Sequence, residues 1–426
     1  MTASSTTEPV PSGTTTETLL AFGRKRLLGN YRQAPFVLER GRGCELFDTE
    51  GKRYLDLCAG VAVASLGHAH PGLAAAIGEQ AATLMHVSNY FYNAENVRLA
   101  DDLCRMTGYD RAFFCNSGAA ANEAMLKLAR RWFFEQGRPD RYRILAFHHA
   151  FHGRTLGAVA LTGNPKYQEG FGPPLPGVTH VEYGDLEAVK LAMGPDLAAI
   201  LVEPVQGEGG VVPAPEGFLP ALRRLCDAHG ALLLVDEVQT GLGRTGKMLG
   251  QDHDGVRGDA IALAKGLGGG FPIGALLVRE ELAAALPPGT HGSTFGGNAL
   301  ASRAARTVLE VIERDGLVDQ VAARGAHLAR GLEALADKHP TLAIGERGRG
   351  LLRGLRLAHG VDVRGLLTAL QLRGVLLTVA GADVLRFSPP LIITEAELDE
   401  GIAAVDAVLG EIEAERAAAE VANPTC

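Results

Sequence analysis

Two polar residues follow short apolar runs that are typical of buried strands. Asp236 comes directly after the run at 232–235, and Lys265 follows the run at 262–264 and precedes a cluster of glycines. A buried aspartate needs a charged partner, and a protonated heteroaromatic nitrogen is a suitable one. A lysine among Ala, Leu and Gly can lose its water, which lowers its pKa and makes it a Schiff-base nucleophile. The alternatives are a salt-bridged or helix-capping Asp236 and a Lys265 in an exposed, flexible loop.

A third element could bind an anion. The sequence passes from a predicted strand into a predicted helix at Asn116 and Ser117, which are residue types that cap helices. The backbone amides of Gly118 and Ala119, at the positive end of that helix, form a site suited to a phosphate. A phosphate anchor, an aspartate for a ring nitrogen and a Schiff-base lysine are together what a pyridoxal phosphate enzyme needs.

Two other motifs fit their usual functions poorly. Residues 241–246 match the dinucleotide pattern G-x-G-x-x-G, but no helical apolar period follows them, and Met248 stands where a P-loop needs Ser or Thr. His148, His149 and His152 have the spacing of metal ligands on a helix, but no carboxylate or cysteine completes the set. We interpret these histidines as packing residues beside the site, and we predict no metal.

The surrounding sequence predicts an α/β protein whose elements bring these residues together. Apolar runs alternate with helical stretches, which is the pattern of a mainly parallel sheet wound in βαβ units. Ligands usually bind outside the carboxyl ends of such strands. The runs lie at 112–115, 144–147, 199–202 and 232–235, and helical stretches lie at 72–83, 95–106 and 118–136.

The flanking regions predict a second, smaller α+β lobe. Apolar residues around the turn at Glu50 and Gly51 indicate a hairpin, and a long helical stretch leads from Asn298 towards Arg330. Beyond it, strands are expected near 351–356 and 384–388, and helices near 363–373 and 395–414. We predict a disordered tail at 1–18, an N-terminal segment at 19–70 that joins the small domain, a large cofactor domain at 71–325, the C-terminal small domain at 326–416 and a tail at 417–426.

Composition excludes several classes of protein. The chain has 426 residues, 46% of them hydrophobic, and a net charge of −8, which argues against a nucleic-acid-binding surface. No apolar stretch is long enough for a membrane span, and the first residues do not resemble a secretory signal. The six cysteines are scattered without a C-x-x-C pair. That distribution favours reduced thiols in a cytoplasmic protein.

The chain resembles the class III aminotransferases of fold type I, and in particular the acetylornithine/succinylornithine aminotransferase group. The resemblance covers roughly residues 28–412 and rests on several specific segments in family order. Ala120, Gly266 and Ala299 depart from the residues that are usual in the family. The matching segments are 66–71, 116–119, 150–155, 202–210, 236–241, Lys265 and 290–298.

This resemblance implies pyridoxal 5′-phosphate as the cofactor and assigns most of its contacts. Lys265 would hold the cofactor covalently and move a proton during the reaction, and Asp236 would keep the ring nitrogen protonated. The other implied cofactor contacts are Phe151 and Val238 on the two ring faces, Gln239 at the ring oxygen, Gly118 and Ala119 at the phosphate, and Thr294 of the partner subunit.

The resemblance also implies substrate contacts. Arg154 would bind a substrate carboxylate with its planar fork, and Ser293 is a further contact. Glu203 and Arg386 would form an ion pair that is closed for the amine and opens when a dicarboxylate enters. Members that act on free ornithine have a Tyr where this chain has Val61, which offers no hydrogen bond to a free ammonium group.

The implied activity is transfer of the terminal amino group of N2-acetyl-L-ornithine to 2-oxoglutarate, as in arginine biosynthesis. The products would be N-acetylglutamate 5-semialdehyde and glutamate, formed in a ping-pong reaction by a cytoplasmic homodimer with shared active sites. The alternatives are transamination of succinylornithine in arginine catabolism, or of ornithine or 4-aminobutyrate. The same fold also hosts aminomutases and decarboxylases, and a catalytically inactive binding protein is a further alternative.

Overall fold

The computed structural model describes residues 14–422 of the chain, with side chains up to residue 418. Within this range, no helix is both long enough and apolar enough to cross a membrane. The helical segments are α1 Thr16–Arg26, α2 Ala59–Ala62, α3 Pro71–Thr83, α4 Ala94–Thr107, α5 Gly118–Glu135, α6 Leu156–Leu161, α7 Leu186–Ala192, α8 Phe218–His229, α9 Ala299–Arg314, α10 Leu317–Lys338, α11 Val363–Leu372 and α12 Glu395–Ala422. The strands are β1 Leu38–Arg42, β2 Glu45–Asp48, β3 Arg53–Asp56, β4 Arg111–Cys115, β5 Arg143–Phe147, β6 Val178–Val181, β7 Leu197–Val202, β8 Val205–Gln206, β9 Val212–Pro213, β10 Leu232–Asp236, β11 Ala260–Leu263, β12 Gly274–Val278, β13 Ala343–Arg349, β14 Leu352–Leu357, β15 Val375–Leu376, β16 Thr378–Ala380 and β17 Val384–Phe387.

A seven-stranded sheet forms the centre of the molecule, in the order β4-β12-β11-β10-β7-β5-β6. Its strands are parallel except for β12, which runs antiparallel to both β11 and β4. Every residue of β7 and β10 is buried, as expected for parallel strands covered on both faces. The prediction of an α/β fold with a mainly parallel sheet is confirmed.

Helices on both faces bury the apolar strand residues and fix where the strands end. On one face, α5 packs Ala121, Met125 and Leu128 into a cluster with residues of the sheet. On the other face, α8 contributes Phe218 and Leu222 to the larger core. Because β5, β7, β10 and β11 are parallel, their carboxyl ends meet at one edge of the sheet, and the loops that follow them form one wall.

The described residues also form two four-stranded sheets and a two-stranded sheet of β8 and β9. The predicted hairpin is present, with β2 antiparallel to β3, and β15 from the C-terminal part of the chain adds to β3 in parallel. A second sheet has the order β13-β14-β17-β16. The N-terminal hairpin is therefore joined to residues 375–376, and the domain boundaries at 70, 325 and 416 stay predictions.

Three sequence expectations are corrected at helix ends. The tail predicted at 1–18 is too long, because α1 begins at Thr16 and the Thr15 hydroxyl accepts a hydrogen bond from Thr18 N (3.4 Å). The helical stretch after Asn298 is two helices, since Gly316 adopts φ +60° between them. The tail predicted from 417 is wrong as far as residue 422, because α12 continues to that point. Residues 1–13 and 423–426 lie outside the described part of the chain.

Segment α2 is a left-handed turn rather than an ordinary helix. Ala59, Gly60, Val61 and Ala62 have φ values of +47°, +61°, +67° and +61°, a conformation that costs energy for residues other than glycine. Buried Asp56 holds the start of this turn, because its Oδ1 accepts hydrogen bonds from the backbone N–H of residues 58 (2.9 Å) and 59 (2.8 Å).

Candidate active site

A cavity of about 410 Å³ opens at the carboxyl ends of the parallel strands. Its wall combines loops that follow β4, β5, β7, β10 and β11 with the start of α5, as the strand-end argument predicted. The expected site residues on its wall are Gly118, Ala119, Phe151, Arg154, Glu203, Asp236, Val238, Gln239 and Lys265.

Lys265 lies two residues beyond the end of β11 and begins a single 3₁₀ turn with φ +42°. Removal of its amine from bulk water lowers the pKa of Lys265 to about 8, and the nearby Arg386 acts in the same direction. The carboxylates of Glu208 and Asp236 oppose this shift. A substantial share of the amine is therefore neutral near physiological pH, as a nucleophile requires.

Asp236 ends β10 and is held by three hydrogen bonds, with only 4% of its surface exposed. Its Oδ2 lies 2.7 Å from Asn122 Nδ2 and 2.7 Å from His152 Nδ1, and its Oδ1 accepts from Val238 N (2.9 Å). The interpretation of His152 as a histidine packed beside the site is confirmed. Asn122 was not predicted, although an asparagine on the otherwise apolar buried face of α5 was a signal.

The start of α5 offers free backbone donors to the cavity. The Ser117 hydroxyl caps the helix by accepting from Ala120 N (3.2 Å). Gly118 and Ala119 follow as the first two helical residues, whose N–H groups have no acceptor within a helix. A Cβ at Gly118 would lie 2.7 Å from a methyl carbon of Val238, so a larger residue there would push the two segments apart.

These groups fit pyridoxal 5′-phosphate. The helix start suits its phosphate, the buried Asp236 suits a protonated ring nitrogen, and Lys265 suits its aldehyde. Phe151 and Val238 supply apolar surface on the cavity wall. Gln239 adds a buried amide whose Oε1 has no hydrogen-bond partner among residues 14–422, so the amide can still bond a polar group of the cofactor.

Arg154 brings a positive charge to the cavity that no carboxylate of the described residues neutralises. Its side chain is exposed, and its guanidinium carbon lies 4.0 Å from the ring centre of Tyr167 and 5.3 Å from that of Phe151. Among the described residues it has no ion pair and no hydrogen bond. The guanidinium is stacked on aromatic rings with its N–H groups available to a carboxylate.

The expected ion pair between Glu203 and Arg386 is absent, and this prediction is wrong. Buried Arg386 is instead ion-paired with Glu208 and donates from Nε to Thr378 Oγ1 (3.1 Å). Removal from water and the nearby Asp236 raise the pKa of Glu203 well above its usual range, which favours its neutral form. Glu208 also loses water, but Arg386 and Lys265 outweigh that and lower its pKa.

Four expected residues do not line the cavity within one chain, and they are Val61, Ser293, Thr294 and Arg386. Val61 is half-buried on the left-handed turn, whose neighbour Val63 lines the cavity instead. Ser293 lines a separate surface cavity, and Asn89 Nδ2 donates to its carbonyl (2.8 Å). Thr294 follows Ser293 in the same loop and does not line the cavity that holds Lys265.

The surface beside this loop is strongly apolar. Tyr90, Phe91 and Tyr92 are 93%, 70% and 95% exposed, and Met85 and Phe295 are exposed by more than half. His86 contacts Phe295 with a distance of 5.4 Å between ring centres, which brings the two segments together. Exposed apolar clusters of this kind are typical of protein interfaces. We call these five residues, 85, 90–92 and 295, the aromatic patch.

Comparisons with known proteins agree with this geometry. The sequence model described as "Aminotransferase class-III" matches residues 29–409. The chain is 51% identical to an acetylornithine aminotransferase of Myxococcus xanthus over 403 residues, covering 94% of this chain and all of the relative. It is 50% identical to acetylornithine aminotransferase 1 of Bradyrhizobium diazoefficiens, covering 88% and 92% of the two chains.

Solved structures give the same result. An ornithine aminotransferase of Toxoplasma gondii superposes with a TM-score of 0.91 at 36% identity, covering 94% of this chain and 96% of the other. A second structure of that enzyme is described with pyridoxal phosphate at its active site. An N-acetylornithine aminotransferase of Stenotrophomonas maltophilia gives a TM-score of 0.81 at 37% identity, covering 93% and 100% of the chains.

Proposed function

The chain belongs to the class III aminotransferases, enzymes that depend on pyridoxal 5′-phosphate, and we propose that it acts on N2-acetyl-L-ornithine. It transfers the terminal amino group of that substrate to 2-oxoglutarate and releases N-acetylglutamate 5-semialdehyde and glutamate. The observation that carries the proposal is one cavity that holds Lys265, Asp236 and an unpaired Arg154. Relatives named acetylornithine aminotransferase, at 43–51% identity, support the choice of substrate.

The proposed chemistry divides between the cofactor and the chain. When bound, pyridoxal phosphate supplies the carbonyl that takes up an amino group and a ring that accepts electrons. Asp236 holds the proton on the ring nitrogen, and Asn122 and His152 fix the carboxylate that does so. When the cofactor is bound, Lys265 Nζ, with its lowered pKa, would accept and return the proton that is exchanged during the amino-group transfer.

Substrate orientation follows from the charges of the wall. Arg154 binds the α-carboxylate, which leaves the terminal amine of an ornithine derivative at the far end of the cavity beside Lys265. Apolar Val63, which directly follows the left-handed turn, lines the wall, and Val61 lies two residues before it. Neither valine can hydrogen-bond a free α-ammonium group, whereas both suit an acyl group on that nitrogen. We therefore place the acyl group against this turn.

Glu208 and Arg386 provide the means of accepting two different substrates. While the amine is bound, the ion pair stays closed, and Arg386 presents no free charge to the uncharged end of the substrate. When 2-oxoglutarate enters, Glu208 moves away and Arg386 binds the carboxylate of the incoming acid. Opening a buried pair without a replacement anion is costly, so the switch selects for a dicarboxylate. Glu208 thus takes the role first expected of Glu203.

A homodimer completes the site in this proposal. In this dimer, the aromatic patch forms part of the interface between the two subunits. Thr294 of the partner subunit reaches the phosphate, and Ser293 of the partner subunit lies near the substrate. Mixing inactive Lys265→Ala with an inactive Thr294→Ala variant then restores part of the activity, because a hybrid dimer has one intact site. Hybrids that form without any recovery would count against shared sites.

The reaction type is tested by its need for a keto acid. Purified enzyme with N-acetylornithine should form glutamate and aldehyde in equal amounts, and continuous turnover should stop when 2-oxoglutarate is omitted. Sustained turnover without a keto acid would point to a mutase or decarboxylase instead. Succinylornithine is the second candidate substrate. Its acyl group ends in a carboxylate that needs a charged or hydrogen-bonding partner, and a substrate panel compares it with N-acetylornithine directly.

We place the enzyme in the cytoplasm. The five described cysteines are all free thiols, and burial raises the pKa of each of them because it disfavours the thiolate. Unpaired and unreactive thiols are usual in a reducing compartment.

A further inference from the structure

Helix α6 begins two residues after Arg154, and a carboxylate from another helix holds its first turn. Glu123 of α5 accepts hydrogen bonds at Oε1 from Gly157 N (2.9 Å) and Ala158 N (3.3 Å). Thr155 occupies the position from which a side chain normally caps a helix, yet it makes no capping hydrogen bond. Glu123 therefore replaces the local cap and also places a negative charge at the positive end of α6.

The residue at position 157 is suited to this contact. A Cβ at Gly157 would lie 2.7 Å from Glu123 Cδ, closer than non-bonded carbon atoms approach one another. Any larger residue would force the carboxylate away from the two N–H groups. Gly157 has an ordinary helical backbone, so its lack of a side chain, rather than its flexibility, is what the contact uses.

The contact connects the two ends of the site. Helix α5 starts with Gly118 and Ala119, the residues placed at the phosphate, and Glu123 lies little more than one turn later on the same helix. Because Glu123 accepts hydrogen bonds from the start of α6, helix α5 also fixes the segment that carries Arg154. The Arg154 guanidinium is stacked on two aromatic rings and makes no hydrogen bond or ion pair with the described side chains, so these contacts leave its distance from the phosphate end poorly fixed.

We propose that Glu123 is a positioning residue that holds Arg154 at the correct distance from the cofactor for a substrate carboxylate. This inference rests on the proposed function, in which Arg154 binds that carboxylate. A side chain placed wrongly by a fraction of an ångström binds the carboxylate less well, while the groups that perform the chemistry stay in place. Loss of Glu123 therefore acts on substrate affinity rather than on the rate of the bound complex.

The test is a double-mutant cycle on Glu123 and Arg154, measured with N-acetylornithine at saturating 2-oxoglutarate. Glu123→Ala should raise KM roughly fivefold, as loss of a helix cap would give, with kcat changed less than about twofold. In the Arg154→Ala background the same change should raise KM less than about twofold, because residues that act as one unit are not additive. Glu123→Gln keeps an acceptor oxygen and should restore most of the affinity.

A second variant covers the case in which Glu123→Ala does not fold. Gly157→Ala displaces the carboxylate from the other side and should raise KM in the same way, again only when Arg154 is present. The inference would be overturned if Glu123→Ala raised KM equally with and without Arg154, or if it lowered kcat and left KM unchanged. An Arg154→Ala variant with unchanged KM would overturn the proposed role of Arg154 instead, so the two failures are distinguishable.

Discussion

The cavity has two sides that are held in different ways. On the cofactor side, Asp236 is buried and accepts three hydrogen bonds, and Lys265 starts a tight turn at the end of a buried strand. On the substrate side, Arg154 is exposed and stacked on aromatic rings. Arg386 is ion-paired with Glu208, whose carboxylate also lies near Lys265. The cofactor stays in place through both half-reactions, whereas two substrates must exchange. Rigid contacts therefore suit the first side, and contacts that can re-form suit the second.

The largest expected effect is on the cofactor side, at Lys265. Borohydride reduction of the purified yellow enzyme should fix the cofactor to Lys265 alone, as peptide mapping by mass spectrometry would reveal. Lys265→Ala should lower kcat by at least about a thousandfold, as removal of other catalytic nucleophiles does, while the phosphate contacts still retain cofactor. A reduced adduct on another lysine would contradict the assignment.

Asp236 should have the next largest effect. Asp236→Ala removes the charge that holds the ring nitrogen protonated, and a loss of kcat on the order of a hundredfold is expected from such electrostatic terms. The half-reaction with N-acetylornithine, followed by cofactor absorbance, measures this loss directly. Asn122→Ala, which removes one of the three hydrogen bonds to Asp236, is the matched control and should cost less. A near-normal rate for Asp236→Ala would mean that its role is only structural.

On the substrate side, the expected effect is smaller and differs between half-reactions. Glu208→Gln leaves Arg386 without its anion, so the half-reaction with N-acetylornithine should slow about tenfold, as loss of one or two kcal/mol of specificity gives. The half-reaction with 2-oxoglutarate should change much less, because Arg386 is already available. Rapid-mixing measurements of the two half-reactions separate these effects. If Glu203→Gln slowed only the half-reaction with N-acetylornithine and Glu208→Gln slowed neither half-reaction, the partner of Arg386 in the switch would be Glu203, as first expected.

The smallest effect concerns the stability of the C-terminal part of the chain. Buried His339 joins α10 to α12 through Asp406 (2.8 Å from Nε2) and Glu413 (2.8 Å from Nδ1). Burial disfavours the imidazolium, but these two carboxylates outweigh it and raise the pKa of His339 above its ordinary value. Hydrogen bonds from Lys338 and His339 lower the pKa of Asp406, and the hydrogen bond from His339, with the charge of Arg416, lowers the pKa of Glu413.

The sign of the pH dependence follows from that shift. A raised pKa means that the stabilisation is complete below the unfolded pKa of about 6.5 and is lost as pH rises through the folded pKa. Denaturant unfolding should show that the free energy of unfolding falls by about 1 kcal/mol over this pH interval, which is the contribution of the charged hydrogen bonds. His339→Gln should remove this pH dependence. An unchanged slope in that variant would contradict the assignment.

Sequence reasoning was most successful on the cofactor side. Asp236, Lys265 and the start of α5 each follow an apolar strand, so local pattern and the rule for parallel sheets were sufficient to bring them together. The exception is Asn122, whose contact with Asp236 depends on how α5 is rotated over the sheet. The break between α9 and α10 also had a local signal, because Asp315 and Gly316 form a typical turn pair.

The substrate side was harder to predict because its contacts join distant segments. Glu203 and Glu208 lie only five residues apart, on either side of β8, and nothing local shows which of them faces Arg386, which comes from a separate sheet. Thr294 was placed at the partner's phosphate only through resemblance, since within one chain it does not line the cavity that holds Lys265. The left-handed turn at Val61 was also missed, because only one of its four residues is a glycine.

The most direct test of the proposed function is the ratio of kcat/KM for N-acetylornithine to kcat/KM for free ornithine, each measured with 2-oxoglutarate. We expect this ratio to be at least about ten. The apolar turn cannot hydrogen-bond a free ammonium group, and the missing bond costs about one or two kcal/mol. Val61→Tyr should narrow the ratio by supplying a hydroxyl to the free α-amino group. Equal or better use of free ornithine or 4-aminobutyrate by the unmodified enzyme would contradict the proposed substrate.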